Sequence, residues 1–262
     1  MIQKLADLQP VILFGMLVLM YSLENVFPYL AKPVNKKKHD IQNLILTLIA
    51  ILFNAAVGMG VVTALQYSIS HHIGILYLLP LPVWLSVILG MLLMDLGSYG
   101  FHNLQHKWPL LWRFHRVHHS DLALNTTSSL RFHPVEVVLT QGLYFSVAVM
   151  VFGVSMVSFT IYGTIALIFV IMQHSNIRLP NFIERYARYI FSTPGWHKIH
   201  HSNEQKYTDS HYGDVFTFWD RIFGTWHRIS PDEIEYGLKE FNEPKKQTAG
   251  YLLKSPFIQK TK

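Results

Sequence analysis

The chain has 262 residues, a formal net charge of +6 and an apolar content of 50%, and it contains no cysteine. The lack of cysteine excludes disulfides and thiolate metal ligands within these residues. No pattern typical of a nucleic-acid-binding module accompanies the positive charge, so no nucleic-acid partner is expected. A basic face toward anionic lipid headgroups is the simpler interpretation.

The apolar residues are concentrated in long uncharged runs, notably between Asp40 and Asp95 and between Glu136 and Arg178. A helix needs about 20 apolar residues to cross a bilayer. We therefore predict an all-α, polytopic membrane protein, a single domain over residues 1–262. Its expected five or so spans lie near residues 11–29, 44–65, 83–101, 137–152 and 155–173, with Pro80, Pro82 and Gly153 separating neighbouring spans.

The basic residues predict how these spans are oriented. Lysines at 36–38 follow the first span, the 66–82 loop has neither lysine nor arginine, and the chain after Arg178 is strongly basic. Because lysine and arginine collect on the cytoplasmic side, the histidine-rich segments 102–136 and 174–230 are expected to form a helical cap on that side. A bacterial inner membrane is the expected location, in preference to the endoplasmic reticulum.

Three histidine clusters stand next to the predicted spans. One reads HxxxH and two read HxxHH, as "HRVHH" and "HKIHH"; their members are His102, His106, His115, His118, His119, His197, His200 and His201. Residues at i, i+3 and i+4 share one helix face, and imidazole is the commonest metal ligand in proteins. Eight imidazoles exceed the four ligands of a structural zinc ion, which suggests two metal ions. Nitrogen-rich ligation suits iron, zinc or copper.

One carboxylate is a candidate partner of these histidines. Asp95 lies seven residues before His102, on the same helix face and near the membrane end of the third predicted span. Neutral imidazoles leave a metal's charge uncompensated, so an acidic group that orients a ligand is expected nearby. The alternative is a helix-end carboxylate that reaches the membrane interface.

The order of the motifs resembles the sterol desaturase/fatty acid hydroxylase superfamily. The matching segments are "HNLQH", "FHRVHHS", "RFHP", "QHSN", "GWHKIHHS" and "FTFWDRIFGTW", and they cover roughly Leu92–Trp226. The resemblance implies an integral membrane di-iron enzyme in which the eight histidines bind iron. It also implies that O₂ and externally supplied electrons are used to hydroxylate or desaturate C–H bonds in a sterol, fatty acyl or related lipid.

The resemblance extends to three further histidines. His174 in "QHSN" stands where the family commonly has another metal ligand. His133 in "RFHP" matches a recurrent family histidine that either binds metal or orients a ligand. His211 stands where asparagine is frequent in relatives, as a substitute ligand or as an outer group. No catalytic side chain is expected beyond the metal ligands.

The electron source is expected to be a separate protein, because no haem, flavin or iron–sulfur motif is visible in the chain. A basic surface around Arg185, Arg188 and Lys198 is our hypothesis for docking an acidic ferredoxin or cytochrome-type donor. The segment Leu179–Phe191 is amphipathic and is expected either along the membrane interface or as a helix packed under the metal site.

Two other function classes remain open from the sequence. A zinc-dependent membrane hydrolase would more typically have a carboxylate among its ligands, as in HExxH, and these clusters contain none. A metal transport or storage protein would place its sites near the bilayer midplane, whereas these clusters lie in basic segments outside the predicted spans. Hydroxylation, desaturation and ether cleavage would use the same metal site and are not separated.

Overall fold

The computed structural model describes residues 2–31 and 35–258, so the predicted domain over residues 1–262 extends beyond the described ranges at its two ends and at 32–34. Regular structure in these ranges is helical, with isolated β-bridges only. The α-helices are α1 (Ile2–Val26), α2 (Lys36–His71), α3 (Val83–Lys107), α4 (Pro109–His119), α5 (Pro134–Val137), α6 (Phe145–Phe152), α7 (Met156–His174), α8 (Asn181–Ala187), α9 (Pro194–His200), α10 (Gln205–Thr208), α11 (Phe218–Ile222) and α12 (Ala249–Ile258). A π-helix (Val138–Tyr144) joins α5 to α6, and 3₁₀ turns occupy Ile75–Leu78, Thr126–Leu130, Pro231–Glu233, Lys239–Phe241 and Pro244–Gln247.

The predicted helical membrane fold is confirmed. Four helical stretches are long and apolar enough to cross a membrane: Gln3–Val26, Val83–Lys107, Pro134–Phe152 and Met156–His174. The bent helix α2 supplies a fifth when its two parts, which meet at 44°, are counted as one span. The third span continues six residues past the predicted end at 101, so that the HxxxH histidines belong to the same helix as the span.

The breaks between spans have local causes. Helix α3 begins directly after Pro82, whose extended backbone precedes the first helical turn. Helix α6 ends at Gly153, whose φ of 68° is the left-handed conformation common at helix C-termini. The next helix starts three residues later, with the Ser155 side chain accepting a hydrogen bond from the Ser158 backbone N–H.

Large apolar side chains on the outer surface of the spans are exposed. Phe14 on α1 is 70% exposed, Leu52 on α2 is 77% exposed and Val83 on α3 is 80% exposed. A soluble protein would bury such a surface, whereas a membrane protein turns it toward lipid. The exposed bands fit a multi-pass membrane protein.

A buried polar network ties the first two spans to the histidine-rich cap. The Glu24 carboxylate accepts hydrogen bonds from the backbone N–H and hydroxyl of Thr126, at 2.8 and 2.7 Å. The fully buried Arg131 donates to the Asn43 side chain at 2.8 Å. Because buried polar groups require such partners, this network fixes the cap in position on the spans.

The C-terminal segment closes the cap from outside. Phe241 and Leu252 are fully buried and pack with Leu46 of α2 and Val117 of α4. Val117 lies in the middle of "HRVHH", so burying it turns the histidines of α4 away from this apolar cluster and toward the centre of the cap.

Gly74 and Gly153 meet backbone to backbone at the other end of the spans. A Cβ added at Gly74 would lie 2.2 Å from the Gly153 amide nitrogen, and the Gly74 φ of 120° disfavours any L side chain. We expect Gly74→Ala to reduce the free energy of unfolding by about 3 kcal/mol or more. Gly15→Ala is the matched control, since no atom lies within 4 Å of its added Cβ. Reversible unfolding in mixed micelles measures both, and equal stabilities would contradict this packing.

Candidate metal centre

The first two histidine clusters are placed by consecutive helices. His102 and His106 stand one turn apart near the C-terminal end of α3. Pro109 is the first residue of α4, where its missing N–H costs nothing, and the chain turns there so that α4 packs against α3. His115 and His119 of "HRVHH" therefore face the HxxxH pair.

The remaining predicted ligands lie in the C-terminal half of the chain. His174 is the last residue of α7, the fifth span. The Thr193 hydroxyl caps the N-terminus of α9 by accepting a hydrogen bond from the Trp196 N–H at 3.2 Å, and Pro194 is its first residue. The seven-residue α9 carries His197 and His200, and His201 is its C-terminal cap.

All nine predicted ligand histidines are at most 7% exposed, and they form two adjacent groups. One group comprises His102, His106, His115, His119 and His200, and the other comprises His118, His174, His197 and His201. Within each group, one ring nitrogen per residue lies within 4.8 Å of the others. The groups also touch, with the His119 and His201 ring centroids 4.5 Å apart. Each group has the composition and spacing of a metal site.

Hydrogen bonds at the outer ring nitrogens fix which nitrogen is free in two members of the group of four, His174 and His118. His174 Nδ1 lies 2.6 Å from the Val170 carbonyl oxygen, and His118 Nδ1 lies 3.3 Å from that of Arg131. Each Nδ1 must carry the proton to donate to a carbonyl, which leaves both Nε2 atoms as bare lone pairs. Those two Nε2 atoms are 2.9 Å apart, and His197 Nε2 lies 3.0 Å from that of His174. Lone pairs this close repel one another unless a cation lies between them.

The group of five shows the same pattern. The Nδ1 atoms of His102 and His200 face the backbone oxygens of Tyr212 and Ser210, at 3.0 and 2.7 Å. His106 Nε2 and His200 Nε2 are buried and have no hydrogen-bond partner in the described part of the protein. Inward nitrogens without partners, on rings whose outer nitrogens are held, are typical of metal ligands.

A buried carboxylate supports the group of five. Glu136, near the start of α5, is 3% exposed, and its Oε1 accepts a hydrogen bond from His115 Nδ1 at 2.5 Å. The Gln105 side-chain amide donates to the same oxygen at 3.3 Å. Asp209 lies 3.3 Å from His106 Nδ1. These carboxylates orient their histidines and offset positive charge at the site.

The environment keeps five of the clustered histidines neutral. Burial, together with neighbouring imidazoles, lowers the pKa of five rings well below the ordinary histidine value: His118, His119, His197, His200 and His201. A metal binds the neutral imidazole, so these rings are in the ligand form at neutral pH without a prior proton loss. The donor set as a whole therefore fits two metal ions that accept nitrogen ligands.

Two of the three further histidines, His133 and His211, lie outside both groups. His133 Nδ1 accepts a hydrogen bond from the Val135 N–H, as the cap of α5, and its Nε2 faces the Leu253 carbonyl at 3.2 Å. The His211 ring packs on Trp196 with centroids 4.3 Å apart, and its Nδ1 faces the Ser210 hydroxyl at 2.7 Å.

Asp95 occupies a different environment from the one expected. Its carboxylate accepts hydrogen bonds from the Trp219 indole at 2.8 Å and from the Phe216 backbone at 3.3 Å. These partners connect the third span to the "FTFWDRIFGTW" segment. The structure places Glu136, and not Asp95, against a histidine ring. The sequence offered one signal for Glu136: it is the last charge before the uncharged run that ends at Arg178.

One predicted surface charge is buried. Lys198 is fully buried, and its ammonium donates to the Ser175 carbonyl at 2.7 Å. The prediction that Lys198 belongs to the docking surface is therefore wrong, because the cap encloses α9 and the Lys198 side chain points inward. Arg185 and Arg188 remain at least partly accessible.

The fold and site define a helical membrane protein with two buried groups of histidines that could bind metal. A fatty acid hydroxylase family model matches residues 87–225, which is more than half of the chain and includes all nine clustered histidines. The chain belongs to the fatty acid hydroxylase family, as the resemblance indicated. No solved structure matches it at a significant level.

Several characterised relatives share this region. Ornithine lipid hydroxylase OlsE of Rhizobium tropici is 29% identical over 231 residues, covering 85% of this chain and 66% of the relative. Human alkylglycerol monooxygenase is 28% identical over 155 residues, 59% of this chain and 33% of the relative. The Delta(7)-sterol 5(6)-desaturase of Eremothecium gossypii is 27% identical over 157 residues, 60% and 41% of the two chains. The chain thus spans between about a third and two thirds of these relatives.

Proposed function

We propose that this protein is a membrane-bound di-iron oxidoreductase that hydroxylates or desaturates a C–H bond of a lipid, using O₂ and electrons from a separate donor. The observation that carries the proposal is the pair of buried histidine groups at the ends of apolar spans. The named relatives, a lipid hydroxylase, a monooxygenase and a sterol desaturase, support lipid oxidation. Bound iron would supply the activation of O₂ that organic side chains cannot provide.

In this proposal the nine clustered histidines hold the metals, five around one ion and four around the other. Glu136 and the backbone oxygens of Tyr212 and Ser210 hold the rings in the orientation and tautomer that a ligand needs. Burial of the cluster excludes water and so protects a reactive oxidant from side reactions. The apolar spans would bring a lipid to the centre laterally from the bilayer. No side-chain nucleophile is required.

Location and electron supply complete the proposal. The basic residues flanking the spans favour a cytoplasmic position of the histidine-rich cap, in a bacterial inner membrane. A ferredoxin or cytochrome-type protein would deliver electrons on that side. We expect its rate of reduction of the enzyme to fall as salt concentration rises, if charge steers the encounter.

The two alternatives make different demands on the same residues. A zinc hydrolase would need an open coordination position and a general base, and neither group of clustered histidines contains a carboxylate among its members. A storage or transport protein would need an exchangeable route for the ion. The fully buried position of His200 and His201 favours a resident metal.

Metal analysis of protein purified from iron-supplemented cells tests the proposal. We expect about two iron atoms per chain. The double variant His118→Ala/His200→Ala removes one ligand from each group, and we expect it to lose most of the metal while remaining helical by circular dichroism. Zinc in place of iron under iron-replete conditions would favour the hydrolase. Folded protein without any metal would contradict the proposed enzyme.

A further inference from the structure

An arginine-rich cavity opens on the cap, apart from the histidine groups. Its volume is about 720 Å³, which is within the usual range for ligand pockets. Four arginines line it, Arg185, Arg188, Arg221 and Arg228, against two carboxylates, Glu184 and Glu233. The indoles of Trp196 and Trp226 are also part of the wall.

The protein itself offsets the positive charge in this cavity only in part, because four arginines face two carboxylates. The salt bridge described nearby joins Arg178 to Asp232 at 2.8 Å, whereas Arg185, Arg188 and Arg228 form no ion pair within the described ranges. The Glu184 carboxylate is engaged by the Thr193 hydroxyl, which donates to it at 2.6 Å. An anion is therefore the complementary ligand.

Two of the guanidinium groups pack on the same indole ring. Arg188 and Arg221 both lie over the Trp196 ring, at 5.4 and 4.8 Å from its centroid. Arg221 is fixed further by donating to the backbone oxygens of Arg188 and Tyr189, at 2.9 and 3.1 Å. Burial, followed by the charge of Arg188, lowers the pKa of Arg221. Cations that the fold already holds in place need less ordering when an anion binds, which favours binding.

The rim of the cavity indicates a lipid as the source of the anion. Helix α8 contributes Glu184 and Arg185 to the lining, and the same helix exposes Phe182 by 67%, Ile183 by 40% and Tyr186 by 68%. It begins seven residues after His174, where the fifth span ends. A short helix with exposed apolar residues at the end of a span lies at the membrane interface, at the depth of phosphate headgroups.

We propose that this cavity binds the phosphate of an anionic phospholipid headgroup, with the apolar residues of α8 contacting the acyl region. An acidic protein surface is a poorer match, because it would bring carboxylates against exposed Phe182 and Ile183. The proposal goes beyond lipid oxidation and does not depend on the metal centre, since none of the nine clustered histidines lines the cavity.

The test uses the full-length protein in detergent and short-chain lipids below their micelle concentration. Dioctanoyl phosphatidylglycerol is the anionic probe, and dioctanoyl phosphatidylcholine and inorganic phosphate are the comparisons. Intrinsic tryptophan fluorescence, to which Trp196 and Trp226 in the cavity wall contribute, reports binding. We expect phosphatidylglycerol to bind at least about tenfold more tightly than either comparison.

Two exposed arginines allow a variant that leaves the partly buried Arg188 and Arg221 unchanged. Arg185→Gln/Arg228→Gln should weaken phosphatidylglycerol binding about 30-fold, since each cation near a headgroup contributes on the order of a factor of five. Lys206→Gln/Lys239→Gln removes the same charge from exposed positions outside the cavity and should leave binding unchanged. Unchanged thermal unfolding of both variants without lipid shows that each is folded.

Four results would overturn the proposal. Equal affinity of the wild type for the two lipids would remove the anionic selectivity, and equal loss in both double variants would remove the cavity as the site. Inorganic phosphate binding as tightly as the lipid would make it a free-anion site. Tight binding of a glutamate-rich peptide, without discrimination between lipids, would instead assign the cavity to an acidic protein.

Discussion

His174→Ala is expected to empty one metal position and to leave the other occupied. The His174 Nε2 atom lies 2.9, 3.0 and 3.2 Å from the Nε2 atoms of His118, His197 and His201, so it is the common neighbour of its group. Removing it leaves three ligands in this group and all five in the other. We expect the iron content to fall by about one atom per chain and lipid oxidation to fall more than ~100-fold. Metal analysis and product formation measure both.

His133→Ala is the matched control for this change. His133 is also a buried histidine beside the cap, but its ring caps α5 and faces the Leu253 carbonyl. We expect full metal content and a stability loss of about 1 kcal/mol from the lost cap, which His133→Asn should largely restore. Loss of iron from His133→Ala would instead make His133 a ligand and contradict the two groups as drawn.

Glu136→Gln should weaken metal binding at the group of five without unfolding the protein. The buried carboxylate accepts the His115 Nδ1–H at 2.5 Å, and the amide keeps the shape while removing the charge. A neutral acceptor makes the imidazole a poorer electron donor and leaves more of the metal charge uncompensated. We expect a 10–100-fold loss of metal affinity, measured by competition with a chelator.

Asp95→Asn is the matched control for Glu136→Gln, because it removes the charge of another buried carboxylate in the same fold. Asp95 is also buried and hydrogen-bonded, but its partners are Trp219, Phe216 and Tyr162. We expect its metal affinity to be within about threefold of wild type, since no imidazole changes its acceptor. A greater loss for Asp95→Asn than for Glu136→Gln would favour the hypothesis made from the sequence.

The membrane fold was predictable because its signals are local. Span length follows from the hydrocarbon thickness, and the breaks follow from Pro82 and Gly153, whose backbone preferences act within a few residues. The HxxxH and HxxHH spacings likewise determine which histidines share a helix face, whatever surrounds them. The motif order was sufficient to indicate the family that the comparison with known proteins showed.

Which histidines group together depends on contacts between segments that are distant in the chain. His118 meets His174 across 56 positions, while its helix neighbours His115 and His119 join the other group. The periodicity of a helix shows which histidines share a face, but it does not show which of the two histidine groups each of them joins. Lys198 is a second example. Its charge predicted a surface position, but the packing of α9 buries it.

The sequence by itself thus determined the spans, the histidine faces and the family, because each depends on residues within a few turns of one another or on motif order. Only the tertiary structure decided the division into five and four ligands, the choice of Glu136 over Asp95 beside a histidine, and the gathering of arginines around Trp196. These depend on the angles at which helices far apart in the chain pack together. Side-chain identity alone does not specify those angles.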